Sequence, residues 1–264
     1  MRERAEEFLC DLLEVVCFLA RPTLANAMHG ASHWGRPAVS VRDLADLDKR
    51  GFIDLKKGAR NRKDRVMRLT EKGRLHALGG RDPETCWATP WDGKWRLVLF
   101  DIPEREMNLR TNLRRHLLAR RFGYLQNSVW VSPHPLGLEN ALFKGSEINA
   151  ERLLTLDAVP GTGEKNSDIA RAAWDFKSIN KNYAEVIKLL EACPGAQVPK
   201  SVKGTPPLRR WLVAVRQAWR SAMALDPLLP RVLCPPDYLG EKAWKLRSKK
   251  LAALARQLEG VLES

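Results

Sequence analysis

The chain of 264 residues is longer than one average domain, and 44 % of its residues are hydrophobic, so we expect two or three small ordered domains. No apolar run approaches the roughly 18 residues that span a bilayer, and the first residues lack a signal-peptide pattern, so neither an integral membrane protein nor a secreted one is expected. Five widely spaced cysteines without a CxxC pair disfavour a disulfide framework or a zinc site, which predicts reduced thiols in a cytoplasmic protein.

The net charge of +14 has two local peaks. Residues 49–74 hold eleven basic against three acidic residues, and residues 105–121 hold six arginines against Glu106. Basic clusters of this density attract polyanions, and nucleic acid is the first candidate in a cytoplasmic protein. The alternative is a charged face that only keeps the protein in solution.

Helical patterns fill much of the first fifty residues. Apolar residues recur at helical spacing over 7–20, and a short second helix is predicted over 23–28. Ser40 caps a third predicted helix over 41–50, and Gly51 ends it. The inward face of this third helix is predicted to consist of Val41, Leu44, Ala45 and Leu47.

A basic hairpin is predicted to follow the third helix. Residues 52–55 and 65–69 have strand patterns, the turn between them reads KKGARNRKD, and a further helix opens at Thr70. Three helices followed by a basic hairpin describe a winged helix-turn-helix, and the strings KRGFI and RLTEKGR closely resemble winged-helix bacterial transcription regulators. We therefore assign residues 1–85 to such a DNA-binding domain.

In this domain the third helix would enter the major groove and the hairpin tip would reach phosphates or the adjacent minor groove. Because the helix also carries Asp43, Asp46 and Asp48, which phosphate repels, phosphate contact by the hairpin is better supported than base contact by the helix. The residues predicted to contact double-stranded DNA are Ser40, Arg42, Lys49, Arg50, Lys57, Arg60, Arg62, Lys63 and Arg65.

The middle of the chain alternates strand and helix patterns. A near-continuous apolar run over 95–102, ended by Pro103, predicts a buried strand, and a helix follows over 108–120. Residues 122–126 lead into a second strand over 128–131. A third strand over 151–159 and a short helix over 168–174 complete a pattern typical of a ferredoxin-like α+β domain, assigned to residues 91–175.

The last segment, residues 176–264, is predicted to be entirely helical. Helices are predicted over 176–192, 208–225 and 241–262, separated by proline-rich connections. The chain is thus predicted to be an α+β multidomain protein whose C-terminal α-helical domain is suited to dimerisation, effector binding or both.

Two stretches of the middle segment carry a family resemblance. WDGKWRLVLFDIPE over 91–104 and LRRHLLARRFGYLQNSVWVSPHPL over 113–136 are similar to the central domain of the PaaX family of transcriptional repressors. The stretches 174–183 and 226–240 resemble later parts of that family. The resemblance implies a homodimeric repressor whose DNA binding is relieved by a small acyl-CoA effector, phenylacetyl-CoA in the type case. It assigns no effector-binding residue to this chain.

Two alternatives remain open at this point. The middle segment also resembles the small CRISPR adaptation nucleases, whose first strand ends in an aspartate, as here at Asp101. Asp101 from two subunits would then hold a divalent metal that activates water, whereas the simpler role is a cap on the following turn. The other alternative is a scaffold that binds nucleic acid without sequence preference.

No other motif of the sequence indicates a catalytic, cofactor-binding or metal site. The five histidines are scattered singly, and the chain has no P-loop, no GxSxG and no dinucleotide-binding glycine pattern. We therefore expect no enzymatic activity, no cofactor and no metal site. The expected partners are double-stranded DNA, a second copy of the chain and a small-molecule effector, with no membrane.

Overall fold

The computed structural model describes residues 41–55, 67–135, 153–194 and 206–262. These residues form eight α-helices and two antiparallel sheets, which makes the protein an α+β protein. The helices predicted over 7–20 and 23–28 lie outside the described residues. In the part of the chain that is described, no helix combines the length and apolar character needed to cross a membrane.

The chain divides into two compact units that do not follow the chain order. Unit 1 consists of Met1–Asp82, Lys181–Ala224 and Leu239–Ser264, and unit 2 consists of Pro83–Asn180 and Leu225–Tyr238. Each unit is therefore built from segments that are distant in sequence.

The N-terminal part of unit 1 begins with helix α1, Val41–Lys49. A two-stranded antiparallel sheet of β1, Ile53–Leu55, and β2, Met67–Leu69, follows it. Helix α2, Glu71–Ala77, comes directly after β2. Leu44 and Leu47 of α1 are buried as predicted, but Ala45 is exposed because it lies on the opposite side of the helix.

Three long helices supply the rest of unit 1. They are α6, Phe176–Glu191, of which residues from Lys181 onward belong to this unit, α7, Pro206–Leu225, and α8, Gly240–Leu262. Aromatic side chains fill the space between them: the rings of Tyr183 and Trp219 meet edge to face at 5.9 Å, and Trp244 lies 5.5 Å from Trp219. Arg81 Nη2 donates a hydrogen bond of 2.7 Å to the Met223 carbonyl, which joins the N-terminal segment of this unit to α7.

Unit 2 is a four-stranded sheet with helices. Its strands are β3, Trp95–Phe100, β4, Gly123–Gln126, β5, Val129–Ser132, and β6, Leu153–Ala158, in the order β4-β5-β3-β6. All neighbours are antiparallel. The other elements are helices α3, Pro83–Ala88, α4, Met107–Ala119, and α5, Asn166–Ala173, and two 3-10 turns, Glu104–Glu106 and Arg231–Leu233.

The connection from β3 to β4 sets the topology of this sheet. Helix α4 carries the chain from β3 to β4, and β5 lies between those two strands, which is a split βαβ arrangement. The sequence predicted one strand where the structure has the hairpin β4–β5. Asn127, with φ of 44°, forms the tight turn between the two strands, and a turn this short leaves no clear break in the strand pattern of the sequence.

One face of the sheet packs on α4. The buried residues of this core are Val98, Phe100, Ile102, Leu113, Leu117, Phe122 and Trp130. Helix α5 packs closely against β4, because a Cβ at Gly123 would stand 2.6 Å from Ala173 Cβ and 2.7 Å from the Trp174 ring. A glycine is therefore required where β4 meets the end of α5.

The segment after α7 belongs to unit 2 as far as Tyr238. The Tyr238 hydroxyl accepts a hydrogen bond of 3.1 Å from Trp87 Nε1 and donates one to the Asp226 carboxylate. Asp226 is buried and also accepts the Leu228 N–H at 2.8 Å. A buried carboxylate with these partners is satisfied, so this proline-rich segment has a defined structure.

Candidate nucleic-acid interface

Three of the nine predicted DNA contacts fall within the described residues. Arg42, Lys49 and Arg50 lie on or directly after α1. These three side chains differ in their exposure and in their partners. The others lie outside the described residues: Ser40, Lys57, Arg60, Arg62, Lys63 and Arg65.

Arg42 and Lys49 form an outward pair of cations. Both side chains are exposed, and neither forms an ion pair with a residue that the structure describes. They are seven residues apart, so they lie on one helix face about 10 Å apart along the axis. The buried Leu44 and Leu47 hold the opposite face of α1 against the protein. Helix α1 therefore carries two cations on its exposed face, while its opposite face is packed against the protein.

Arg50 has local partners instead. Its Nη1 donates to Asp46 Oδ2 at 3.3 Å, and its guanidinium lies 4.7 Å from the centre of the Phe52 ring. The Arg50 carbonyl accepts a hydrogen bond of 2.8 Å from Lys72 Nζ. Arg50 thus helps to join the end of α1 to the start of α2.

The aspartates on α1 have roles that the sequence did not reveal. Asp46 pairs with Arg50, and Asp48 Oδ1 accepts the N–H of Leu55 at 3.3 Å. Two carboxylates that are unfavourable for phosphate binding in the sequence analysis therefore stabilise the connection from α1 to β1. Their partners lie four and seven residues further along the chain, and only the second of these contacts depends on the strand.

The end of α1 is a Schellman motif, which fixes the direction of the chain into β1. Gly51 has φ of 72°, its N–H donates to the Asp48 carbonyl, and the Phe52 N–H donates to the Leu47 carbonyl, both at 2.9 Å. The predicted glycine cap is confirmed. Because the left-handed conformation favours glycine, this position determines where the hairpin begins.

The hairpin pairs as the sequence predicted. Ile53 lies opposite Leu69, and Leu55 lies opposite Met67. Residues 56–66, which contain the basic turn, connect these two positions. Five of the predicted DNA contacts lie in that connection.

Helix α2 locks the base of the hairpin to α1. The Thr70 hydroxyl accepts the Gly73 N–H at 3.0 Å and donates to the Gly51 carbonyl at 2.6 Å. Gly73 lets α2 cross the chain closely, because a Cβ there would stand 2.0 Å from the Phe52 carbonyl oxygen. The string RLTEKGR therefore encodes the joint between β2, α2 and the end of α1.

A charged cluster completes this joint. Arg74 Nη2 donates hydrogen bonds of 2.8 Å to both Glu71 and Asp82. The Arg74 guanidinium holds the pKa of the Glu71 carboxyl below its usual range. The charge of Arg74 is thus paired with carboxylates of the protein, whereas Arg42 and Lys49 on α1 have no ion-pair partner among the described residues.

Asp101, the residue of the nuclease alternative, follows directly after β3 and is exposed. It receives no hydrogen bond from a residue that the structure describes, so it does not act as a cap there. Within the described ranges no three His, Cys, Asp or Glu side chains cluster as metal ligands.

The exposed cations of α1, Arg42 and Lys49, thus lie on an α+β protein. Residues 88–170 match the family model "PaaX protein central Cas2-like domain", and residues 174–263 match "PaaX-like protein C-terminal domain". The chain belongs to the PaaX family, and this membership indicates a transcriptional regulator that binds DNA.

Among solved structures, the chain is similar to the uncharacterized protein Rv0674 from Mycobacterium tuberculosis. The TM-score is 0.56, the identity is 21 %, and the likeness covers 92 % of each chain. At this identity the likeness concerns the fold alone. No curated protein matches the chain.

Proposed function

We propose that the protein is a cytoplasmic, homodimeric repressor that binds its operator through a winged helix-turn-helix in residues 1–85. The observation that carries the proposal is the pair of outward cations, Arg42 and Lys49, on a helix whose end is locked to a hairpin with a basic connection. Family membership supplies the DNA-binding class.

In this proposal α1 is the recognition helix and β1 and β2 form the base of the wing. A recognition helix needs one face packed on its domain and the other free for the groove. Leu44 and Leu47 supply the packed face, and Arg42 and Lys49 lie on the free one. The cations at Lys57, Arg60, Arg62, Lys63 and Arg65 would add phosphate or minor-groove contacts, and Ser40 and Arg50 would act from the ends of the helix.

The proposal also covers the rest of the chain. A ferredoxin-like domain in residues 91–175 is supported by the strand order β4-β5-β3-β6 with its split βαβ connection. The helical segment 176–264 is proposed to serve dimerisation and effector binding. An acyl-CoA effector would release the DNA by binding one conformation of the dimer better than the other.

The experiment is an equilibrium titration of the full chain with duplex DNA from upstream of its own gene, against a scrambled duplex of equal length. The variant Arg42→Gln with Lys49→Gln removes two outward cations from α1. A matched control, Lys242→Gln with Lys249→Gln, removes two exposed cations from α8. We expect the α1 variant to lose affinity for upstream DNA and most of its preference over the scrambled duplex, whereas the control keeps the preference.

Equal binding of both duplexes by the unmodified protein would overturn the proposal of a sequence-specific regulator. The same titration with Mg²⁺ tests the proposed lack of enzymatic activity, because a nuclease that uses Asp101 would cut the duplex and Asp101→Ala would abolish the cutting. Addition of acyl-CoA to the complex tests the effector directly. Unchanged affinity with phenylacetyl-CoA would remove that compound from consideration.

A further inference from the structure

The second basic segment of the sequence lies on and beside helix α4 of unit 2. Residues 105–121 contain six arginines, and Glu106 is the one acidic residue among them. The proposed winged helix does not use this charge, because it belongs to the other unit. Four of these arginines define what we call the α4 arginine surface: Arg110, Arg114, Arg115 and Arg120.

None of these four side chains forms an ion pair with a residue that the structure describes. Arg115 and Arg120 are exposed, and Arg115 donates a hydrogen bond to the neutral side chain of Asn112. Arg110 and Arg114 are half-buried, and their Nε atoms are buried without a hydrogen-bond partner among the described residues. A buried donor without an acceptor is costly, and the described part of the fold supplies no acceptor for these two Nε groups.

A structural arginine in the same unit looks different. Arg96 is buried, donates hydrogen bonds to both carboxylate oxygens of Asp92 and lies 3.5 Å from Asp157. It also donates to the Lys94 carbonyl at 2.7 Å. The buried arginine of this unit is therefore paired with two carboxylates. The α4 arginines have no carboxylate partner among the described residues, so their terminal guanidinium nitrogens are open to an anion from outside.

Helix α4, which carries these arginines, is packed against the sheet of unit 2. Leu113 and Leu117 of α4 are buried in the core of unit 2, so the helix is held firmly against the sheet. Arg110 and Arg114 are four residues apart and therefore neighbours on one flank. Guanidinium groups bind phosphate in a bidentate manner and lose less hydration than ammonium groups, so a row of them suits a phosphodiester chain.

We propose that the α4 arginine surface binds the phosphodiester backbone of double-stranded DNA, as a second contact in addition to the winged helix. The inference rests on the proposed function, since it takes DNA as the partner of this protein. Contacts to phosphate carry no sequence information, so this surface strengthens binding to every duplex equally. Met107 and Leu118, which are exposed by 66 % and 55 %, lie on the same helix and make a protein partner the competing outcome.

The test uses the full chain with Arg110→Gln, Arg114→Gln and Arg115→Gln combined, since glutamine keeps helix propensity and removes the charge. The matched control combines Lys242→Gln, Lys245→Gln and Lys249→Gln, which removes three cations from α8. Affinity for upstream and scrambled duplexes is measured between 50 and 200 mM salt. Far-ultraviolet circular dichroism monitors the fold of both variants.

Three lost phosphate contacts should reduce the slope of log affinity against log salt by about 2.7. Over this fourfold range of salt, the affinity of the unmodified protein should then fall roughly 40-fold more than that of the α4 variant. The loss at low salt should be the same for upstream and scrambled DNA, so the preference between them stays unchanged. A slope that changes no more than that of the α8 control overturns the inference.

The outcomes separate this inference from the proposed function. If the α1 variant loses the preference for upstream DNA while the α4 variant matches the control, the repressor proposal stands and the α4 contact is wrong. If the α4 variant instead changes the oligomeric state at an unchanged slope, the surface binds protein and the inference is also wrong. Should the triple variant unfold, Arg115→Gln with Arg120→Gln, both at exposed positions, gives the same test with an expected change of about 1.8 in slope.

Discussion

Replacing Gly73 by alanine should separate α2 from the end of α1, although the same change in an isolated helix is favourable. The added Cβ would stand 2.0 Å from the Phe52 carbonyl oxygen, 2.9 Å from the Phe52 carbonyl carbon and 3.0 Å from Leu69 Cδ2. Non-bonded carbon contacts need about 3.5 Å, so α2 or the backbone at Phe52 must move by more than about 1 Å. Overpacking of this kind costs about 1–3 kcal/mol, whereas helix propensity gains only about 1 kcal/mol.

Because the obstacle is backbone, we expect a cost at the upper end of this range and a net loss of about 2 kcal/mol, which for a chain of this size lowers Tm by roughly 4–8 °C. Thermal unfolding followed by circular dichroism measures the shift, and the operator titration should show weaker binding as the hairpin leaves its place. Gly161→Ala is the control, since a Cβ there meets nothing within 4 Å and the residue has no positive φ. An unchanged or raised Tm for Gly73→Ala would refute the reasoning.

Two further predictions concern unit 2. The Arg96 guanidinium lowers the pKa of Asp92 to about 2 from a usual value near 3.8, so this carboxylate stabilises the fold above pH 3.8 and stops doing so as the pH falls toward 2. Urea midpoints should therefore fall more steeply between pH 4 and 2 in the unmodified protein than in Asp92→Asn, and parallel curves would contradict this. Leu117→Ala, at a fully buried position under the sheet, should cost about 2–5 kcal/mol in urea unfolding, while Leu118→Ala at its exposed neighbour should stay within about 0.5 kcal/mol. Equal losses at the two positions would place Leu117 outside the core.

The sequence predicted well those elements whose signals are local. The end of α1 could be placed because Gly51 follows the last helical turn, and the hairpin because apolar residues alternate on both sides of a polar, basic turn. The run of apolar residues over 95–100 likewise marked β3 as buried. In each of these cases a few neighbouring residues decide the structure.

Contacts that depend on tertiary structure could not be predicted in this way. The Leu55 N–H lies beside Asp48, and the Phe52 ring lies beside Arg50, only because the chain turns after α1, so the sequence pattern predicts neither contact. The predicted inner face includes Ala45 because alanine fits either face of a helix, and the structure places this residue on the exposed face. The need for glycine at position 73 arises from a chain segment some twenty residues earlier, which no local pattern reports.

The arrangement of the two units affects the order in which the protein can fold during synthesis. Unit 1 combines the segment that ends at Asp82 with Lys181–Ala224 and Leu239–Ser264, and the Arg81–Met223 hydrogen bond joins residues 142 positions apart. All of unit 2 is therefore synthesised before the last helix of unit 1. The N-terminal segment is made first, yet its unit is complete only after α8 has been made. A chain shortened at α8 would lack one of the long helices of unit 1.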